Sequence, residues 1–186
     1  MKIYQPSLFI LFIIAIIGFT CGSGLAQSYG DRPEDLSINY HRTAGAVPAP
    51  YYHEITITVS PSGAGTIELI PDYPSESVPK WTESFNVSAS KLDEFYEDIV
   101  SQEAFTRSWR APSAPNLGSP NETIQIIANG QQMKIPSQIA RSLRRQSRSK
   151  DNIAKAIQAL VPDALWQSLK ERHKLYAKEH YPHGNQ

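Results

Sequence analysis

Apolar and polar residues alternate along five stretches of this chain, which is the pattern of β-strands that bury one face. The first two stretches flank a turn that contains Gly63 and Gly65. The last two flank Asn129-Gly130, and both of these residue types tolerate the positive φ of a tight hairpin turn. The pattern therefore predicts two antiparallel hairpins and one further strand between them. The five stretches are 55–59, 67–69, 81–87, 124–128 and 133–135.

A period of 3.6 residues replaces this alternation in three other segments, which predicts amphipathic helices. Ser88 or Ser90 can cap the first helix, Asp151 the second, and Pro162-Asp163 begins the third. The apolar faces are Leu92, Phe95, Tyr96 and Ile99; Ile153, Ala156, Ile157 and Leu160; and Leu165, Trp166, Leu169 and Tyr176. We therefore predict an α+β fold, in which two to four helices pack on one face of an antiparallel sheet of about five strands.

The N-terminus has the features of a secretory signal peptide. Lys2 precedes an apolar run over residues 8–19, which is shorter than the roughly 20 residues of a transmembrane helix. Gly24 and Ala26 are small residues at the −3 and −1 positions of a cleavage site. We expect export to the periplasm or the cell exterior with cleavage after Ala26. A lipid anchor on Cys21 is the alternative, although the residues before Cys21 depart from the usual lipoprotein motif.

These features divide the chain into four parts. Residues 1–26 are the expected signal peptide, and residues 27–50, with three prolines and two glycines, are the expected flexible linker. A single α+β domain is expected over residues 51–181, and residues 182–186 are a tail.

Three segments of the chain resemble small exported bacterial domains, including cyanobacterial ones, that have no assigned activity. They are the hairpin at 55–69, the helix start at 87–92, and the second hairpin after Phe105; the closing stretch 161–166 is similar to the ends of such proteins. The resemblance implies an α+β fold and export. It implies no functional residues.

Composition limits the classes of partner and site. Eighteen Lys and Arg balance eighteen Asp and Glu, so no overall field favours nucleic acid, and we expect no nucleic-acid partner. Cys21 is the only cysteine, and it precedes the cleavage site, which excludes disulfides and thiolate sites from the mature chain. His173 and His180 are two helical turns apart, too far to share one ion, and His183 follows in the tail. We expect neither a metal nor a cofactor.

Charge is nevertheless segregated along the chain. Residues 93–103 hold five acids and no base, whereas residues 134–150 hold six bases and no acid. Arg141, Arg144, Arg145 and Arg148 would form one stripe on a helix, facing either the acidic helix or an external anion. Trp109 and Arg110 lie in a polar, proline-rich loop, where Trp109 either contacts a ligand or folds back over the sheet. These six residues are the predicted binding residues.

No complete catalytic motif is present, so no catalytic residue is predicted and a non-enzymatic function is favoured. We expect an exported binding or accessory domain whose partner is an anionic envelope polymer, lipid headgroups or another protein. One alternative is a hydrolase whose site assembles from scattered residues around His53. Another is a structural lipoprotein tethered to the envelope through Cys21.

Overall fold

The computed structural model describes residues 31–182, so the expected signal peptide, Cys21 and residues 183–186 lie outside the described part. One antiparallel sheet of six strands dominates the fold, with the order β4-β3-β2-β1-β5-β6. The α+β prediction is confirmed, with one strand more than the expected five. The strands are β1 (Ser37–Thr43), β2 (Glu54–Val59), β3 (Ala64–Ile70), β4 (Trp81–Asn86), β5 (Asn121–Ala128) and β6 (Gln131–Ile135).

The additional strand corrects the flexible linker that was expected over residues 27–50. β1 lies inside that segment and pairs with β2 on one side and β5 on the other. Leu36, Ile38 and Tyr40 are buried and alternate with more accessible residues, so residues 36–40 show the two-residue alternation of burial that is typical of a strand. The folded part therefore begins before residue 51, and β1 joins the two hairpins into one sheet.

In the described residues, three α-helices cover the apolar face of this sheet: α1 (Ala89–Ser101), α2 (Arg144–Gln158) and α3 (Asp163–His180). One hydrophobic core joins them to the strands through residues such as Ile57, Ile99, Ile153 and Leu169, all essentially inaccessible to solvent. The other face of the sheet is polar; its hydroxyl pair Thr58–Thr66 is 2.7 Å apart. None of the helices in residues 31–182 has the length and apolar character needed to cross a membrane.

The turn of the second hairpin has the predicted geometry. Asn129 and Gly130 adopt φ values of 54° and 68°, as required in a two-residue turn that matches strand twist. The carboxylate of Asp35 accepts hydrogen bonds from both of their main-chain N–H groups, at 2.7 and 2.6 Å. Both hydrogen bonds lower the pKa of the Asp35 carboxyl group, and the bond from Gly130 has the larger effect. They also hold the segment before β1 against the turn between β5 and β6.

Helix α2 begins earlier than expected. Asp151 was predicted to cap it, but the helix already starts at Arg144, and Asp151 lies at its middle. Arg, Gln and Lys have good helix propensity, and Ser149 and Lys150 are buried against the rest of the protein. Tertiary contacts therefore extend the helix by two turns through a segment that has no apolar period.

Candidate functional site

The four predicted arginines do not form a single helical stripe. Leu143 N–H bonds the carbonyl of Ala140 at 2.8 Å, which places Arg141 in a turn before α2. Arg144, Arg145 and Arg148 follow in the first turns of the helix. The expected stripe is corrected to three helical arginines and a fourth that lies apart, in the wall of a cavity.

One of these arginines has an internal partner. Arg145 Nη2 lies 2.8 Å from Glu103 Oε1, and Arg107 Nη2 lies 2.8 Å from Glu103 Oε2, so one carboxylate at the end of α1 holds two guanidinium groups. Glu103 belongs to the acidic segment that was considered as the internal counterpart. In residues 31–182, Arg141, Arg144 and Arg148 form no ion pair with any acid.

Trp109 packs against the protein and does not line the cavity that contains Arg141. Its Nε1–H donates to the carbonyl of Ala104 at 3.0 Å, the ring is half-buried on the core, and the Arg107 guanidinium lies 5.4 Å from the ring centre. These contacts match the alternative in which Trp109 folds back over the sheet. The Arg110 side chain is exposed, whereas its main-chain N–H donates to Gln146 Oε1 at 3.2 Å. The loop 107–110 thus fixes the start of α2.

Two adjoining cavities open beside the start of α2. The larger, of about 780 Å³, lies between the loops 112–119 and 137–142 and the helix. The smaller, of about 410 Å³, continues past β1 and β5. Ser137, Lys150 and Asp151 line both. We name the two cavities together the Lys150 cleft.

A buried ion pair lies where the two cavities meet. The side chain of Lys150 is only 7% exposed, and its Nζ lies 3.4 Å from Glu122 Oε2 and donates to the carbonyl of Ser137. Glu122 Oε1 accepts from the Tyr40 hydroxyl at 2.7 Å, and Gln158 Nε2 donates to that hydroxyl at 2.9 Å. The network joins α2 to β1 and β5 and satisfies each buried polar group within the protein.

Burial changes the acidity of two groups in this network. Desolvation lowers the pKa of Lys150, partly opposed by the charge of Glu122. Desolvation and the adjacent Glu122 raise the pKa of the Tyr40 hydroxyl, which therefore stays protonated at alkaline pH. Functional sites are enriched in charged groups with shifted pKa values, so the cleft is a candidate site.

The cleft carries an excess of positive charge. Four basic side chains (Arg42, Arg141, Lys150 and Lys155) and two acidic ones (Glu122 and Asp151) line it, which leaves a formal charge of two positive. Helix α2 adds to this field, because its first turn has no acid and no side-chain cap, and its N-terminal N–H groups form the positive end of the helix dipole. An anion is the favoured occupant.

Serine, asparagine and glutamine supply most of the remaining walls of the cleft. These side chains are Ser113, Asn116, Ser119, Ser137, Gln138, Ser142, Ser147 and Gln158. Hydroxyl and amide groups can both donate and accept hydrogen bonds, so this lining suits a ligand with many hydroxyl groups. Among residues 31–182, no aromatic side chain lines either cavity, so these walls offer a nucleobase no ring to stack on.

Sequence reasoning did not identify Lys150, Glu122, Tyr40 or Arg42 as site residues, although three of them gave a signal. Lys150 lies at helical spacing from Ile153, Ala154 and Ile157, on a face that is otherwise apolar. Glu122 and Tyr40 occupy the buried parity of their strands. A charged or hydroxyl group on an apolar face indicates a buried partner.

His53, the centre of the hydrolase alternative, has a main-chain partner. Its Nδ1 lies 3.2 Å from the carbonyl oxygen of Tyr51, and its ring meets that of His173 with centres 5.4 Å apart. Within residues 31–182 it forms no hydrogen bond with a serine, aspartate or glutamate. In the same part of the chain no three His, Cys, Asp or Glu side chains converge as metal ligands.

Comparison with known proteins adds no family to these observations. No protein-family model matches the chain, and no curated protein matches it significantly. The resemblance to exported bacterial domains therefore stays an expectation from the sequence.

Proposed function

We propose that this protein is an exported binding or accessory domain that holds an anionic, hydroxyl-rich polymer of the cell envelope in the Lys150 cleft. The observation that carries the proposal is the meeting of two polar cavities at the buried Lys150–Glu122 pair, within a lining of net positive charge. A buried ion pair is costly to desolvate, and it stabilises a fold only weakly. The pair holds α2 to the sheet, and its position between the two cavities also places it beside a bound ligand.

The chemistry of the walls selects among the anionic partners. An acidic polysaccharide offers carboxylates for Arg141, Arg42 and Lys155 and hydroxyls for the serine and amide groups. An anionic lipid headgroup would meet the same basic groups. The many serine and amide side chains of the lining suit a hydroxyl-rich ligand, which favours the acidic glycan.

Binding of a defined acidic glycan tests this proposal. Oligogalacturonate serves as the probe, and its methyl ester, which has the same sugar chain without the charge, is the matched ligand control. Titration calorimetry at low salt should show saturable binding of the acid only, weakened at 0.3 M salt because part of the attraction is screened. Equal binding of acid and ester would contradict the proposal.

Variants locate the binding. Arg141→Gln and Arg42→Gln each remove one charged hydrogen-bonding group and should weaken oligogalacturonate about tenfold or more, since such bonds contribute about 1.5–3 kcal/mol. Lys91→Gln, on the exposed side of α1, is the matched control and should leave the affinity unchanged. Similar losses in all three variants would mean that the interaction is only a general charge effect.

The export component of the proposal rests on residues 1–26 and has its own test. Intact mass of the protein from the culture should give a mature N-terminus at Gln27, as expected for cleavage after Ala26. A diacylglyceryl mass on Cys21 would instead favour the lipid-anchored alternative.

A further inference from the structure

A further cavity, which shares no lining residue with the Lys150 cleft, lies between α3 and the chain that leads into β2. It has a volume of about 480 Å³, within the usual range for small-molecule sites. Pro50, Tyr51, Ala177 and Tyr181 supply apolar surface, and the Tyr51 side chain is left more than half exposed. Unlike the Lys150 cleft, this cavity has aromatic walls.

All the charged residues that line the cavity are basic. Lys170, Lys174 and Lys178 follow one another at intervals of four on α3, so they lie along one side of the helix. Lys174 makes a long contact of 3.9 Å with Glu171; in the described chain Lys170 and Lys178 have no ion pair. Three like charges on one side repel each other, and a bound anion would relieve that repulsion.

Two histidines in the wall are held by the main chain. His173 Nε2 lies 3.2 Å from the carbonyl of Tyr52 and 3.1 Å from that of Pro71. A carbonyl oxygen can only accept, so Nε2 carries the proton, and His53 Nδ1 carries it for the same reason beside Tyr51. These bonds to the main chain orient both rings in the wall.

Acidic side chains stay outside the lining of this cavity. In the part of the chain that the structure describes, no aspartate or glutamate lines it. Asp72 is buried, accepts hydrogen bonds from the Tyr181 hydroxyl and from the Tyr73 N–H, and is not part of the lining. A metal ion would meet three ammonium groups, which makes a cation an unfavourable occupant of the two histidines.

We propose that this cavity binds a free amphipathic anion, namely one carboxylate, sulfate or sulfonate group on an aromatic or aliphatic body. The apolar body lies against Tyr51, Ala177 and Tyr181, and the anionic group lies between the ammonium groups of α3. The site is independent of the Lys150 cleft, so it stands or fails separately from the proposed function.

A fluorescent anion and its uncharged analogue test the assignment on the purified chain. The probe is 1-anilinonaphthalene-8-sulfonate, and N-phenyl-1-naphthylamine has the same rings without the sulfonate. The anion should bind saturably with one site per chain and at least tenfold more tightly than the neutral analogue. Decanoate should displace it, and decanol should not. Equal affinity of the two dyes would overturn the proposal.

Substitutions in the cavity identify the site. Ala177→Trp fills the space and should abolish probe binding, and the pair Lys174→Gln with Lys178→Gln should weaken the anion about fivefold or more without changing the neutral dye. Lys91→Gln on α1 is the control. Full probe binding in a folded Ala177→Trp chain would overturn the proposal. If Ala177→Trp does not fold, the Lys174→Gln, Lys178→Gln double variant decides alone. An unchanged affinity of this variant for the free anionic probe overturns the proposal. If the same variant is retained less well on vesicles of anionic lipid, the lysines form a membrane contact instead.

Discussion

Helices α1 and α2 pack against each other on the same face of the sheet, yet they begin in different ways. Ser88 caps α1, with its hydroxyl accepting from the Lys91 N–H at 3.3 Å. Helix α2 follows Leu143 with no side-chain cap and has Arg144 and Arg145 at its positive end. The first arrangement stabilises a helix locally, and the second costs a few tenths of a kcal/mol for each charge.

The difference shows where each helix is held. The start of α1 is stabilised by its own cap, whereas α2 is anchored in its middle by Lys150, which bonds Ser137 and Glu122. The first turn of α2 is held instead by side-chain contacts with the loop 107–110 and by the Arg145–Glu103 pair, so it needs no side-chain cap. The positive end of the helix therefore carries no capping acceptor and can act on a ligand in the Lys150 cleft.

The largest expected effect comes from removing that anchor. Lys150→Met leaves the half-buried Glu122 without its ion-pair partner and should cost about 3 kcal/mol of unfolding free energy, at the low end of the range for breaking a buried pair, because the Glu122 side chain is 17% exposed. Adding Glu122→Gln removes the unpaired charge and should recover a large part of the loss. Urea unfolding measures both. A cost below about 1 kcal/mol for the single variant would show that α2 is held elsewhere.

Alkaline pH should act on the same anchor through Tyr40. Its pKa is raised above the ordinary value of 10.0, so the unfolded chain loses this proton first and stability falls as pH rises above that value. The lowered pKa of Lys150 acts in the opposite direction. Just below pH 10.5 the folded chain loses this proton first, so this group makes stability rise with pH and offsets part of the loss caused by Tyr40. Tyr40→Phe should cost about 1 kcal/mol at pH 8. The difference in unfolding free energy between the two chains should narrow between pH 9 and 11. A difference that stays constant would argue against the raised pKa of Tyr40.

The cap of α1 should have a smaller effect. Ser88→Ala removes the acceptor of the Lys91 N–H and should lower the unfolding free energy by about 1 kcal/mol. Ser88→Asp, which keeps an acceptor and adds a favourable charge at the helix start, is the control and should be neutral or stabilising. A lower unfolding free energy in both variants would mean that the Ser88 side chain stabilises the helix through packing and not through its cap.

An acidic substitution at the start of α2 should raise the unfolding free energy, and this should be the smallest of the effects. Arg144→Glu places an acid in the first turn and should raise stability by about 0.5 kcal/mol at low salt, while weakening oligogalacturonate. Arg145→Glu is the contrast, because it loses the exposed pair with Glu103 and should lower stability by about the same amount. A loss of stability in Arg144→Glu would reveal an internal partner for Arg144.

Local patterns predicted the elements whose signals are local. The hairpin over Asn129-Gly130 and the helix behind Ser88 need only their own residues to be recognised. Strand β1 was missed because a short alternating stretch among prolines and glycines gains its stability from β2 and β5, which are distant in sequence. The early start of α2 was missed for a similar reason, since its arginine-rich first half has no apolar period.

The candidate site could be predicted only in part. Arg141 was singled out by the absence of acids between residues 134 and 150, and it lines the cleft. The Lys150–Glu122 pair joins residues that only the folded sheet brings together, so no spacing rule could reveal it. A lysine on the apolar face of a helix indicates that a partner exists, but the identity of that partner requires the tertiary structure.

The central claim, that the positive end of α2 and the Lys150 cleft form one anion site, is tested most directly by mapping ligand contacts on the whole chain. Main-chain amide shifts are followed by NMR during titration with oligogalacturonate. The account predicts that the largest changes fall in residues 112–119 and 137–155, with little change in α1 or in the cavity beside α3. Saturation with shifts spread evenly over exposed lysines and arginines, or concentrated at α3, would contradict it.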